Sequence, residues 1–350
     1  MKNKFQKHTL ALKTSRPHLA PPAPAIRVRS RDSQATSKFR FNLKRCRFCW
    51  WMQLALLATC APAWADPQTS AAPSQVEPTV VVVPFEFSRE RIMVPARVNG
   101  SEPLSFMLDT GFSITTVHPD LAQRLNLGRA GHVTIVGIAG EEEAEVFEGA
   151  RFDLGGATYS PRRVAAVPSD SKRASRKRGG VLGAGFFKRF VVEIDPKAKT
   201  LKLHEPKSFK YTGSGESIPF KFKKDTPVVE ASINIPGRAA VPGRFEIDTG
   251  CDGGLCLGHD FVEAHRLVES AGQTEGSVRQ GLGGAARTTL GRVPQLQLGR
   301  LTIDKPQANF FLQGSPVERG LAGHIGLEVL RQFKVILDYS HQQMILEPYR

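Results

Sequence analysis

Leu104-Ser105-Phe106-Met107-Leu108-Asp109-Thr110-Gly111 and Phe245-Glu246-Ile247-Asp248-Thr249-Gly250 share one design: an apolar run that delivers a carboxylate straight into a glycine turn. A lone Asp-Thr-Gly reads as an ordinary turn in which the Asp side chain bonds to nearby backbone. Two copies in matching surroundings describe something else, a single site assembled from two halves of one chain.

The surroundings do match. A Pro-Phe-x-Phe segment precedes each motif, Pro84-Phe85-Glu86-Phe87 and Pro219-Phe220-Lys221-Phe222, and is expected as a strand. Helix-like stretches follow at His118–Leu125 and His259–Leu267. Then come two Gly-rich turns, Gly137-Ile138-Ala139-Gly140 and Gly281-Leu282-Gly283-Gly284, and the pairs Leu154-Gly155 and Leu298-Gly299. Each half closes with an apolar residue and Gly, Leu182-Gly183 and Ile325-Gly326. From Asp109 to Gly183 is 74 residues and from Asp248 to Gly326 is 78; from each Gly to the next strand Asp (Asp195, Asp338) is 12 in both halves. An internal duplication accounts for this agreement.

The formal charge of +15 suggests nucleic acid until it is located. Residues 1–65 hold 13 Lys and Arg against the single acid Asp32, leaving only +3 for the remainder. The basic character belongs mostly to a leader, so no nucleic-acid partner is expected. That leader has a basic stretch ending Lys44-Arg45-Cys46-Arg47, a short apolar run over Cys49–Ala58, and Ala63-Trp64-Ala65 before Asp66. This is the pattern of a signal segment with an A-x-A cleavage site. The run is shorter than the roughly 20 residues a membrane span needs. Export to the periplasm or medium is expected; a lipid anchor at Cys60 fits less well, because Thr59 precedes it. Residues 66–78, rich in Pro, Ala, Ser and Gln, read as a disordered linker.

Cys251 and Cys256 are the cysteines left after such cleavage. They read either as a disulfide pair in an oxidising compartment or as two small buried residues beside the second Asp. Histidines without ligand spacing and the lack of a Cys-x-x-Cys in residues 66–350 give no metal expectation, and no cofactor is implied. Gly-x-Ser-x-Gly, His-Glu-x-x-His and phosphate-loop motifs do not occur. Gly179-Gly180-Val181-Leu182-Gly183-Ala184-Gly185 lacks the alternating strand and helix context of a dinucleotide site. The run Lys172-Arg173-Ala174-Ser175-Arg176-Lys177-Arg178 reads as a solvated loop, or as a patch that attracts acidic material.

Many short apolar segments separated by Gly, Pro and Asn turns predict an all-β chain of two small barrels or sandwiches. The boundary is expected in the turn-rich Tyr211–Gly215, giving an N-terminal lobe over 79–212 and a C-terminal lobe over 213–350. The paired Asp-Thr-Gly motifs, Gly-rich turns and apolar-Gly elements resemble the aspartic proteases, pepsin-like and retropepsin-like, over roughly Val80 to Leu346. That resemblance implies a bilobal pepsin-like arrangement of two retropepsin-like β-barrel lobes. It implies Asp109 and Asp248 as the catalytic pair, Thr110 and Thr249 as cross-linking hydroxyls, and Gly111 and Gly250 as points of close substrate approach. Gly137–Gly140 and Gly281–Gly284 are read as substrate-covering flaps or as plain hairpin turns, and Asp252 as a residue that binds substrate backbone.

Peptide hydrolysis suits those residue types. Two close carboxylates cannot both ionise easily, so they share a proton; one activates water while the other assists the carbonyl oxygen. The expected partner is a peptide or protein substrate, and the expected state is a monomer. Three departures from the family pattern stand out. Phe112 and Cys251 occupy positions where pepsin-like enzymes place Ser or Thr. Ser113 is the first-half counterpart of Asp252. Neither Gly-rich turn holds a Tyr. Crowding by Phe112 would favour a second reading, a protease-fold protein that binds peptides or cell-envelope material without cutting them.

Overall fold

The computed structural model describes residues 80–137, 140–167, 177–282, 284–317 and 319–349. The expected leader and linker, the turn residues Ile138, Ala139 and Gly283, and residues 172–176 of the basic run lie outside the described residues. Among the described residues the chain is strand-dominated, with 26 strands against four short α-helices. No helix among them is long and apolar enough to cross a membrane.

The duplication is visible strand by strand. Thirteen strands between Val81 and His204 recur as thirteen between Glu216 and Pro348, and the two ten-stranded sheets have the same strand order. In each half the strand that leads to Asp-Thr-Gly lies parallel to the strand that ends in the apolar-Gly pair. Leu104–Leu108 runs beside Arg178–Leu182 with Leu108 opposite Leu182; Val241–Ile247 runs beside Gly323–Ile325 with Ile247 opposite Ile325. Parallel strands of this kind have cover on both faces, which explains their apolar residues. Phe106, Leu108, Phe245, Ile247, Leu182 and Ile325 are all fully buried. Burial of such a side chain contributes roughly 1.5–3 kcal/mol, so each motif emerges from one of the firmest parts of its half. The next bond fixes the turn: Asp109 N–H donates to Leu182 O at 3.1 Å, and Asp248 N–H to Ile325 O at 3.0 Å.

A six-stranded sheet takes three strands from each half and reads the same from either end. Its central pair is Val191–Asp195 with Phe333–Asp338, where Val192, Glu193 and Ile194 face Leu337, Ile336 and Val335. Asp195 and Asp338, 12 residues after the apolar-Gly pairs, end these two strands.

Pro84–Phe87 and Pro219–Phe222, expected as single strands, are each broken at the first Phe. Val81–Pro84 ends in the six-stranded sheet, and Glu86–Ser88 starts a hairpin in a ten-stranded one; Glu216–Pro219 and Lys221–Lys223 repeat the break. Proline lacks the N–H that would continue the ladder. The buried rings of Phe85 and Phe220 pin the crossing, and their N–H groups bond to Lys199 O and Gln342 O at 2.9 Å each. The helix-like stretches form helices at Pro119–Arg124 and His259–His265.

Candidate active site

The two Asp-Thr-Gly turns meet, and backbone chemistry holds them together. Thr110 N–H donates to Thr249 Oγ1 and Thr249 N–H donates to Thr110 Oγ1, both at 3.0 Å. Each hydroxyl then passes its own proton across: Thr110 Oγ1 donates to Ile247 O at 2.6 Å, and Thr249 Oγ1 to Leu108 O at 3.0 Å. Both threonines are completely buried. Four hydrogen bonds thus tie the end of each apolar strand to the turn of the other half. Unpaired in this interior, each group would cost about 1–3 kcal/mol.

The buried carboxyls of Asp109 and Asp248 lie close together, each against the glycine of the other half's turn, so that each feels the other's charge. Each is also oriented by its own turn: Gly111 N–H donates to Asp109 Oδ1 at 2.8 Å, and Gly250 N–H to Asp248 Oδ1 at 2.9 Å. Cys251 N–H adds a second donor to Asp248 Oδ1 at 3.2 Å. The glycines are required by crowding. A Cβ on Gly250 would run into the Asp109 carboxyl, and one on Gly111 into that of Asp248.

The surroundings of the two carboxyls differ. Burial, reinforced by the charge of Asp248, holds Asp109 well above the usual carboxylate range, with Arg91 opposing weakly. Burial would raise Asp248 too, but His324 reverses the balance and brings it below its ordinary value. His324 Nδ1 lies 3.0 Å from Asp248 Oδ2, and Nε2 lies 3.0 Å from Glu246 Oε2. Burial would lower the imidazole, yet Asp248, Cys251 and Glu246 keep it well above the usual histidine range. One imidazole therefore stands between two carboxylates in this buried corner.

His324 and Glu246 escaped sequence reasoning. The signal was present: His324 occupies the strand position held by Val181 in the first half, and Glu246 the position of Met107. A polar pair substituted for an apolar pair next to a motif marks the place where the repeats diverge.

Cys251 and Cys256 are free thiols with their sulfurs 3.3 Å apart, well beyond the roughly 2.05 Å of a disulfide. They pack against Phe311, the small-buried-residue alternative. The Cys256 thiol and burial push Cys251 up, so it stays protonated. Asp248, Cys251 and His324 do bring an O, an S and an N within 4.8 Å of one another. Both ring nitrogens of His324 already face carboxylates, however, and an imidazole that donates from both nitrogens has no lone pair for a cation.

Asp252 forms an ion pair with Arg279 on the strand Glu275–Gly281. That strand and Gly284–Arg292 form a hairpin closed at its tip by Gly281 opposite Gly284; Gly128–Gly137 and Gly140–Glu148 form the counterpart, closed by Gly137 opposite Gly140. The tips meet, since a Cβ on Gly137 would collide with the Leu282 backbone. Both Gly-rich turns thus belong to long hairpins, and the two hairpins touch each other.

With this geometry in place, the likenesses to known proteins fall into line. The profile of a family described as "Aspartyl protease" matches residues 94–186 and again 229–329, more than half of the chain. The crystal structure of aspartic proteinase from Irpex lacteus is similar at a TM-score of 0.51 and 16% identity, covering 77% of this chain and 97% of that one. At that identity the likeness concerns the fold alone. No curated protein sequence matches this one.

Proposed function

The chain belongs to the aspartyl protease family, and from that premise we propose that Asp109 and Asp248 hydrolyse peptide bonds by activating a water between them. The reading extends to the architecture: lobes over 79–212 and 213–350, each retropepsin-like, form a pepsin-like pair with the substrate cleft between them. As the family implies, the substrate is a peptide or protein. If residues 1–65 act as an export leader, that substrate is met outside the cytoplasm, by a monomer.

The observation that carries the reading is the close approach of two buried carboxyls on turns locked by Thr110 and Thr249. Two carboxyls in that contact hold one proton between them. The ionised one takes a proton from water as it attacks the scissile carbonyl; the protonated one donates to the carbonyl oxygen. Water adds to carbon, the tetrahedral species collapses, and the leaving amine takes a proton from the pair. The tip-to-tip hairpins fit the role of a cover that excludes water during the step.

The test is cleavage of a diverse peptide library by the chain freed of residues 1–65, across pH roughly 3 to 7. Asp109→Asn and Asp248→Asn are each expected to lose about 10²–10⁴-fold in rate. Activity that survives either change sinks the proposal. A folded wild type inert at every pH would instead support peptide binding without cleavage.

A further inference from the structure

Beside the paired carboxyls stands a titratable side chain that hydrolysis by two aspartates does not require. His324 sits in the strand Gly323–Ile325, only 8% exposed, as are Asp248 and, at 9%, Glu246. Each ring nitrogen is 3.0 Å from a different carboxylate, Nδ1 from Asp248 Oδ2 and Nε2 from Glu246 Oε2. A neutral imidazole has one donor and one lone pair, so it can satisfy only one of these contacts and must set its lone pair against the other. The imidazolium donates to both. Two buried carboxylates without it would repel each other and lack compensation for lost hydration.

Other charged and titratable groups around the ring do not disturb this arrangement. Cys251 comes from the motif turn, and Cys256 lies directly across the strand Leu255–Leu257, both as thiols. Arg279, on the neighbouring hairpin, is paired with Asp252. From the first half come Asp109 itself and Arg91, whose charge reaches Asp109, and from the second half Tyr339, which also feels Asp109. On the Asp109 side, Val181 and Met107 stand where the second half has His324 and Glu246, so the strand position matching His324 carries no charge, and only Arg91 acts weakly on Asp109.

We propose that His324 is a positioning residue: held as an imidazolium between Glu246 and Asp248, it keeps Asp248 the carboxylate that takes the water proton and Asp109 the acid that serves the carbonyl. The inference rests on the dyad reading above and adds a direction to it. In a symmetric dyad either carboxyl can hold the shared proton. Here the proton is confined to Asp109, and it is a fixed charge, not the substrate, that decides.

An opposite charge at this distance lowers a carboxylate by about one to three pH units. The positive charge stabilises ionised Asp248, so its removal raises the pH at which Asp248 protonates. In His324→Gln, which keeps an amide donor but no charge, the acid limb of kcat/KM is expected to move up by at least about one pH unit. One unit below the wild-type limb, the variant then loses about tenfold in rate. Glu246→Gln should leave that limb near its place while the His324 titration itself moves to lower pH. Nitrogen-15 NMR of the wild-type imidazole at pH 7 is expected to show both ring nitrogens protonated, a readout that does not depend on any variant folding. A neutral His324 ring at that pH, or an unmoved acid limb in folded His324→Gln, overturns the proposal. Activity retained by Asp109→Asn or Asp248→Asn would overturn the dyad instead, whatever the state of His324.

Discussion

Thr110 and Thr249 each accept the other's backbone N–H at 3.0 Å, so that neither turn can move without breaking a bond made by its counterpart. The exchange has a measurable consequence. Thr110→Val or Thr249→Val keeps the shape but leaves a buried N–H without an acceptor, a loss of about 1–3 kcal/mol in either case. Because both changes attack one reciprocal arrangement, the double variant should lose less than the sum. Chemical denaturation measures this, and additive losses would show that the two bonds act independently.

Acid is expected to loosen the seam between the halves. Glu193 lies in the central pair of the six-stranded sheet, opposite Ile336. Burial alone would raise it, but His204, Lys202 and Lys334 bring it down to about 2. A carboxylate depressed in the folded state adds stability that is full above its unfolded value, near 4.5, and is lost as pH falls toward 2. The contribution is on the order of 3 kcal/mol. Glu193→Gln should flatten the loss of stability between pH 5 and 2; an unchanged slope in denaturation curves would locate the acid sensitivity elsewhere.

Contact between the hairpin tips makes Gly137 a sensitive position. Gly137→Ala sets a methyl group against the Leu282 backbone and forces the tips apart. Peptide kinetics should show KM raised several-fold with the unfolding midpoint nearly unchanged, since both hairpins are largely exposed along their length. Equal losses in KM and stability would mean that the tips support the fold.

Arg279 and Asp252 connect the second motif turn to its hairpin. Both side chains are partly exposed, so the pair contributes at most about 1 kcal/mol to stability. Its larger effect is expected in substrate handling: Arg279→Ala frees the Asp252 carboxylate and alters KM more than kcat. Steady-state kinetics on one peptide series decides, and a change confined to kcat would place the pair closer to the chemistry than its position indicates.

The duplication was legible because it is written in residues with few substitutes. Gly111 and Gly250 face opposing carboxyls, where no side chain fits, and Phe106, Leu108, Phe245 and Ile247 fill the parallel strands behind them. The breaks at Phe85 and Phe220 were hidden, because a Pro followed by alternating aromatic residues has the pattern of one strand whether or not the chain changes sheet. His324 was hidden for another reason. A single histidine in a strand gives no periodic signal, and its meaning depends on Glu246, 78 residues earlier in the chain. Asp252 drew notice by its spacing from the motif, but its partner Arg279 lies on a hairpin whose register no local pattern reveals.

The palindromic six-stranded sheet implies that this polypeptide is divisible. Between His204 and Glu216 one connection joins the halves, while Val192, Glu193 and Ile194 meet Leu337, Ile336 and Val335 through space. A cut in that connection would yield two fragments, each with one of the two Asp-Thr-Gly aspartates and neither able to share a proton between them alone. Fused to two proteins that associate, such fragments would report the encounter as peptide cleavage.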